Sequence, residues 1–121
     1  KTGIIRGYQA IVNEDQLDLN RVGAVIEIRI TPEREGGFNR IASRISKFPE
    51  VESLFLMSGG FDLLAFVRGR NLKEVAFFVS EKLATIEGVV STSTHFMLKT
   101  YKDHGVLMEE EKEHERLKVT P

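Results

Sequence analysis

Apolar residues along this chain change their spacing in a fixed order, and that order restricts the fold more than any other feature. Their spacing is that of half-buried strands or of amphipathic helices. Strand, helix, strand, strand, helix and strand patterns follow one another over residues 22–30, 38–48, 51–58, 61–69, 71–86 and 89–101. This β-α-β-β-α-β order favours a ferredoxin-like α+β sandwich, a four-stranded antiparallel sheet with both helices on one face.

Local signals at the ends of these segments support that assignment. The first helical pattern stops before Pro49, which cannot continue a helix. Asn71 is a favourable N-cap for the second helix, and Gly88 is a favourable end to it. The buried side of each element follows from its apolar residues. For the first strand these are Ala24, Ile26, Ile28 and Ile30, and for the second helix Leu72, Val75, Ala76, Val79, Leu83 and Ile86.

The two middle strands are apolar on both sides, although two helices can cover only one face of the sheet. We predict that Val51 lies on the same side as Phe55 and that Phe55, Met57, Leu63 and Ala65 form the outer face. Burying a side chain of this size contributes about 1.5–3 kcal/mol, so a solvated outer face would forgo much stability. A second copy is the expected cover, which makes the protein an obligate homodimer.

The stretch "SGGFDLLAFV" (residues 58–67) places a carboxylate, Asp62, inside an apolar run. Gly59 and Gly60 predict a tight hairpin, because glycine supplies the positive φ of such turns. The Asp62 carboxylate can accept hydrogen bonds from an ammonium group, while the two glycine N–H groups can donate to a carboxylate. The turn can therefore recognise both charged ends of an amino acid. Alternatively, Asp62 accepts hydrogen bonds from the backbone of its own turn.

Composition excludes several functional classes. Seventeen basic and eighteen acidic residues give a net charge of -1, so no excess positive charge exists to bind a phosphate backbone. The chain has no cysteine, which excludes disulfides and thiol catalysis and suits a cytoplasmic location. No apolar run reaches the roughly 20 residues that cross a membrane. We predict no catalytic residue, metal site or cofactor. His95, in mid-strand beside Phe96, is either a structural residue or part of a pocket wall.

Three segments in combination resemble the C-terminal part of the Lrp/AsnC (leucine-responsive, feast/famine) transcription regulators. They are "GIIRGYQAIVN" (residues 3–13), "SGGFDLLAFVRGRNL" (residues 58–72) and "IEGVVSTSTHFML" (residues 86–98). In that family this domain binds amino acids between subunits and assembles dimers into tetramers, octamers or higher rings. An N-terminal helix-turn-helix binds DNA, and an arm links the two parts. The resemblance therefore implies an amino-acid-sensing and oligomerisation domain.

The resemblance also implies the residues of an effector site. The family's hairpin motif corresponds to Gly59, Phe61 and Asp62, and its last-strand threonines correspond to Thr92 and Thr94. The remaining members of the predicted site are Leu56, Ser58, Gly60, Leu72, His95 and Phe96. The second glycine of the turn stands where the family often has an acidic residue, which puts one polar contact or a preference for charged effectors in doubt.

We expect a linker arm over residues 1–21, an effector-binding domain over residues 22–101 and a charged tail over residues 102–121. The helix-turn-helix half is expected to be absent from this chain, so that DNA is a partner only of a longer parent. The resemblance implies a homodimer that assembles to an octamer. Two alternatives remain open: a small dimeric α+β-barrel enzyme of the monooxygenase or isomerase type, and a stand-alone amino-acid sensor.

Overall fold

Four strands form the sheet of this domain. A computed structural model describes residues 3–14, 21–32 and 37–109. Within these residues, antiparallel strands pair in the order β2-β3-β1-β4. The strands are β1 (Val22–Ile30), β2 (Val51–Leu56), β3 (Leu63–Gly69) and β4 (Val89–Phe96). Helix α1 (Gly37–Ser46) joins β1 to β2, and helix α2 (Leu72–Phe78) lies between β3 and β4. This architecture confirms the predicted ferredoxin-like α+β fold.

One face of the sheet packs against the helices, and we call it the covered face. The predicted apolar side of β1 lies at its centre, from Ala24 at 0% to Ile30 at 4% exposure. Ile41 and Ile45 of α1, together with Val75 and Phe78 of α2, belong to the same buried cluster. Each buried side chain of this size contributes about 1.5–3 kcal/mol. The core is therefore complete within a single chain on this side of the sheet.

The second helix agrees with its prediction at the N-cap but differs in part of its apolar stripe and in its pitch after Phe78. Asn71 is the N-cap as predicted, since its side-chain oxygen accepts the N–H of Glu74 at 2.7 Å. After Phe78 the chain continues as a π-helical turn, Val79–Leu83, in which Ala84 N–H donates to the Val79 carbonyl at 2.8 Å. The predicted stripe is confirmed at Val75, Val79, Leu83 and Ile86, which are buried. It was wrong at Leu72 and Ala76, which are exposed, and it missed the buried Phe78.

The other face of the sheet, which we call the open face, also differs from its prediction. Leu63 and Ala65 were assigned to it but are 1% and 0% exposed in the core. Cross-strand pairing instead places Leu64 opposite Phe55 and Phe66 opposite Ser53. The register of β2 shifts between Val51 and Ser53, and this irregularity returns Val51 to the covered face, opposite Val67.

Strand β4 ends at Phe96, earlier than its predicted limit at residue 101. The chain has two compact units: Asn20–Leu98, which contains the sheet, and Lys1–Leu19 together with Lys99–Pro121. In the second unit, Lys102–Asp103 (β5) pairs with Val106–Leu107 (β6) as a short hairpin where a charged tail was expected. Most of the charged run over residues 109–118 lies outside the described residues. No helix in the described ranges is long and apolar enough to cross a membrane.

Candidate functional site

The predicted effector motif lies in a loop at one end of the sheet. Strand β2 ends at Leu56 and β3 begins at Leu63, so residues 57–62 form a loop rather than the predicted two-residue turn. The Met57 N–H closes it by donating to the Asp62 carbonyl at 2.8 Å. Gly59 has φ +115°, a conformation that other residues adopt only with strain. The loop therefore needs glycine at this position.

Asp62 ties this loop to the neighbouring strand β1. Its Oδ2 accepts the N–H of Ile30 at 2.8 Å, and its own N–H donates to the Ile28 carbonyl at 3.0 Å. The Asp62 carboxylate thus accepts a backbone hydrogen bond from β1 and, among the described residues, none from its own turn. The side chain is half-buried, and Oδ1 makes no hydrogen bond within the described residues. One carboxylate oxygen holds the loop, and the other is available to a ligand.

The tip of the loop offers donors of the opposite kind. Ser58, Gly59 and Gly60 are exposed, and within the described part of the chain their N–H groups make no hydrogen bond. A Cβ added at Gly60 would meet nothing within 4 Å, so the approach to the loop is open there. Backbone N–H groups that are exposed in a loop can bind an anion such as a carboxylate. Donors and the Asp62 acceptor therefore occur within one short segment.

Thr92 lies at the same end of the sheet as this loop. Ile28 pairs with Leu63 on one side and with Thr92 on the other, so one row of residues runs from Leu56 through to Thr92 on the covered face. At the usual strand spacing, Thr92 is about 10 Å from Leu63. Thr94 is in the next row, opposite Ile26. The two threonines therefore lie on the covered face, two strands across the sheet from the strand that follows the loop.

Two of the predicted residues lie towards the opposite end of the sheet. Phe96 pairs with Ala24, and Leu72 follows the far end of β3 at Gly69. The length of β3 separates that end from the loop by about 20 Å. Leu72 is 55% exposed, so it is not held in this chain's own core. A single chain does not bring Leu72 and Phe96 to Asp62.

His95 is on the open face and is separated from the rest of the predicted site. Strand residues alternate between faces, so His95 and Phe96 cannot point to the same side of one sheet. His95 pairs with Val25, and its Nε2 lies 3.3 Å from Oε2 of Glu27. The same nitrogen lies 3.4 Å from the Ser93 hydroxyl. Its interactions are with the open face of β1 and β4.

Sequence reasoning missed the hydrogen-bond partner of Asp62 and the ionic partner of His95. The Ile30 N–H that binds Asp62 is a backbone group, and its residue type carries no sign of the contact. Glu27 was visible as a charged residue on the polar side of β1, but its pairing with His95 depends on the β1–β4 register. Among the described residues, no group of three or more His, Asp or Glu side chains could hold a metal ion.

Comparison with known proteins places this geometry in context. Residues 23–107 match the family model of the Lrp/AsnC ligand binding domain, which extends through the β5–β6 hairpin. The chain is 43% identical to an uncharacterized HTH-type transcriptional regulator, YugG, of Bacillus subtilis, with all of this chain and 74% of that protein covered. It is 30% identical to the HTH-type transcriptional regulator FL11 of Pyrococcus furiosus, over 85% of this chain and 65% of the relative.

A solved structure agrees with these sequence matches. The transcriptional regulator NMB0573 of Neisseria meningitidis, determined as a complex with L-Met, superposes with a TM-score of 0.71 at 26% identity. The superposition covers 93% of this chain and 71% of that one. All three similar proteins are transcriptional regulators, which supports the prediction of a regulatory chain and not an enzyme.

Proposed function

Since the chain belongs to the Lrp/AsnC family of transcriptional regulators and contains its ligand-binding domain, we propose that it binds an amino-acid effector and joins the subunits of the regulator. The observation that carries this proposal is the Asp62 loop. Its carboxylate keeps Oδ1 for a ligand ammonium while Oδ2 is fixed by Ile30 N–H. The N–H groups at Gly59 and Gly60 are the matching donors for the ligand carboxylate.

The effector site is completed by a second subunit. Leu72 and Phe96 lie about 20 Å from the loop in one chain, at the far end of β3. A neighbouring copy can present its own Leu72 and Phe96 to this loop, where they would contact an apolar effector side chain. The exposure of Leu72, 55% in the isolated chain, supports such a role. We therefore place the site at a boundary between subunits.

The subunits pair through the open face of the sheet. Phe55 is 50% exposed there, and its ring packs edge-on against Phe66 with centroids 6.0 Å apart. Leu64 and Val25 are half-buried beside them. An aromatic cluster of this kind on an uncovered sheet is typical of the centre of an interface. We propose a homodimer with this face buried, and dimers that assemble further to an octamer.

In the whole regulator, the effector controls DNA binding in the cytoplasm. The Bacillus and Pyrococcus relatives carry the description HTH-type, and the chain spans 74% and 65% of their lengths. The DNA contact is proposed for a helix-turn-helix of the parent protein. The net charge of -1 leaves this chain no excess of positive charge for contacts with a phosphate backbone.

Two substitutions of Asp62 separate its two roles. Asp62→Asn keeps an oxygen for the Ile30 N–H but removes the charge, so we expect L-methionine binding to weaken by roughly 10- to 150-fold with unchanged stability. Asp62→Ala removes both contacts and is expected to destabilise the fold by about 1–3 kcal/mol as well. Titration calorimetry with L-methionine, L-leucine, L-glutamate and L-lysine measures the first effect, and urea unfolding measures the second.

A deaminated ligand gives the matched control. 4-(Methylthio)butanoate is methionine without its ammonium group, so it should bind the parent chain weakly and be indifferent to Asp62→Asn. The two changes should therefore be strongly non-additive in a double-mutant cycle. Equal affinity of the parent chain and Asp62→Asn for every amino acid tested would place the effector elsewhere and leave Asp62 as a structural residue.

A further inference from the structure

We infer that the pair formed by His95 and Glu27 makes subunit association depend on pH, with tighter dimers when His95 is protonated. The inference rests on the proposed dimer through the open face, because the charge of the pair affects association only if a second subunit buries it. Neither residue belongs to the effector loop. Their role is to adjust the strength of the interface.

The pair lies beside the apolar centre of the open face. Glu27 is opposite Leu64 on β3 and opposite Ser93 on β4, and His95 is opposite Val25. Their side chains are 38% and 57% exposed in the single chain, so a covering subunit would remove both from water. A carboxylate that loses water without an ionic partner is costly, and protonated histidine is the partner within reach.

The other charged groups on this face do not replace His95. Arg29, on the same side of β1, makes no ion pair with Glu27 within the described residues. Arg68 of β3 binds Glu52 of β2 at 2.6 Å and pairs with Gly23 of β1, which is four residues along that strand from Glu27. From β4 itself, Ser93 contributes a neutral hydroxyl near the ring. His95 is therefore the titratable group that compensates Glu27.

The direction of the pH effect follows from proton linkage. The dimer, which holds Glu27 away from water, binds a proton at His95 more tightly than the monomer does. Association is then strongest at low pH, where His95 is charged in both states, and weakens as pH rises and the dimer loses that proton. Histidine ordinarily changes its charge between about pH 5 and 8, so the window lies above the range in which carboxylates titrate.

The dimer dissociation constant at pH 6, 7 and 8 tests this inference. Sedimentation with fluorescence detection measures the dissociation constant of the full chain. If the parent dimer is too tight to measure, the same substitutions are made in a Phe55→Ala chain, whose weaker dimer has a measurable constant. We expect the constant to rise by about 10- to 100-fold from pH 6 to pH 8, since two symmetric sites can each release up to one proton. His95→Gln should abolish most of this dependence.

Glu27→Gln separates a charge effect from a packing effect. Without the carboxylate, the dimer prefers neutral His95, so the dependence should reverse and association should tighten as pH rises. His104→Gln is the matched control, because His104 is paired with Asp103 at 3.0 Å in the β5–β6 hairpin and should leave the profile unchanged. A dimer whose constant does not vary with pH, or varies equally in His95→Gln, overturns the inference. A monomer at every pH overturns the proposed dimer instead.

Discussion

The two faces of the sheet are built from different mixtures of residues. On the covered face, the side chains of β1 are all apolar and almost completely buried. On the open face, the aromatic residues Phe55 and Phe66 share the surface with Glu27, His95 and Arg29. A permanent core excludes charge because an unpaired buried charge is costly. Charges beside an apolar centre are typical of a surface that is also exposed to water, as in a subunit before assembly.

The covered face should respond most strongly to truncation. Phe78 is 2% exposed and packs edge-on against Phe48 with ring centroids 5.4 Å apart. Phe78→Ala is expected to lower the free energy of unfolding by about 3–5 kcal/mol, as large-to-small core substitutions do. Chemical denaturation at fixed protein concentration measures the loss.

The neighbouring Phe77 provides the control for this experiment. Its side chain is 61% exposed on the same helix, so Phe77→Ala should change stability by less than about 0.5 kcal/mol. Equal losses at the two positions would mean that Phe77 is also covered in the assembled protein. That result would extend the interface to the helices.

A substitution of Phe66 tests whether the open face forms the contact of the proposed dimer. Phe66→Ala removes a half-buried ring from the proposed interface and should raise the dimer dissociation constant by about 10- to 100-fold. The change should appear as a shift of the monomer–dimer equilibrium with protein concentration, measured by sedimentation. If Phe66→Ala lowers stability but leaves the dissociation constant unchanged, the open face is not the subunit contact.

The fold was predictable because strand and helix periods are local properties of the sequence. The alternation of β1 and the Asn71 cap gave the correct elements without any tertiary information. Which face of β2 and β3 is buried was harder to predict, because both strands are apolar on both sides. In addition, the register of β2 shifts at Glu52, between Val51 and Ser53. Periodicity alone does not tell which of two apolar sides meets the helices. Leu63 and Ala65 were misplaced for this reason.

The candidate site was predictable only as a set of motifs. Residues 58–62 are contiguous, so their proximity follows from the chain itself. Thr92 joins them through the pairing of β1 with its two neighbours, which no local pattern specifies. His95 and Phe96 were both assigned to the site because the resemblance places them at pocket-facing positions of the last strand, although the alternation of a strand separates them onto opposite faces. Distances across the fold, such as that from Leu72 to Asp62, follow from topology.

The N-terminus of helix α2 should affect stability less than the core does, although the covered face packs against this helix. Asn71→Ala removes the side-chain acceptor of the Glu74 N–H and is expected to cost about 1 kcal/mol of stability. Asn71→Ser keeps a capping oxygen and should cost much less. Thermal unfolding at fixed concentration distinguishes the two. Equal losses would show that the cap contributes nothing and that packing alone holds the helix.

Substitution of Glu74 should have the smallest effect on stability, and that effect should appear only in how stability changes with pH. Its carboxylate accepts the backbone N–H of Arg70 and, at 3.2 Å, also binds the guanidinium of Arg70, and these contacts lower the pKa of Glu74 below its usual 4.5. The charged form is thus favoured in the folded state. Its contribution is complete above the ordinary pKa and is lost as pH falls through the lowered one.

Glu74→Gln removes this titration and should flatten the acid side of the stability profile below about pH 4.5. The side chains are exposed and screened by water, so the difference should shrink further in high salt. Urea unfolding at pH 5.5, 4.5 and 3.5 measures it, with Glu81→Gln as the control for the loss of a negative charge near the same helix. If both substitutions flatten the profile equally, the effect reflects the net charge of the helix and not the contacts with Arg70.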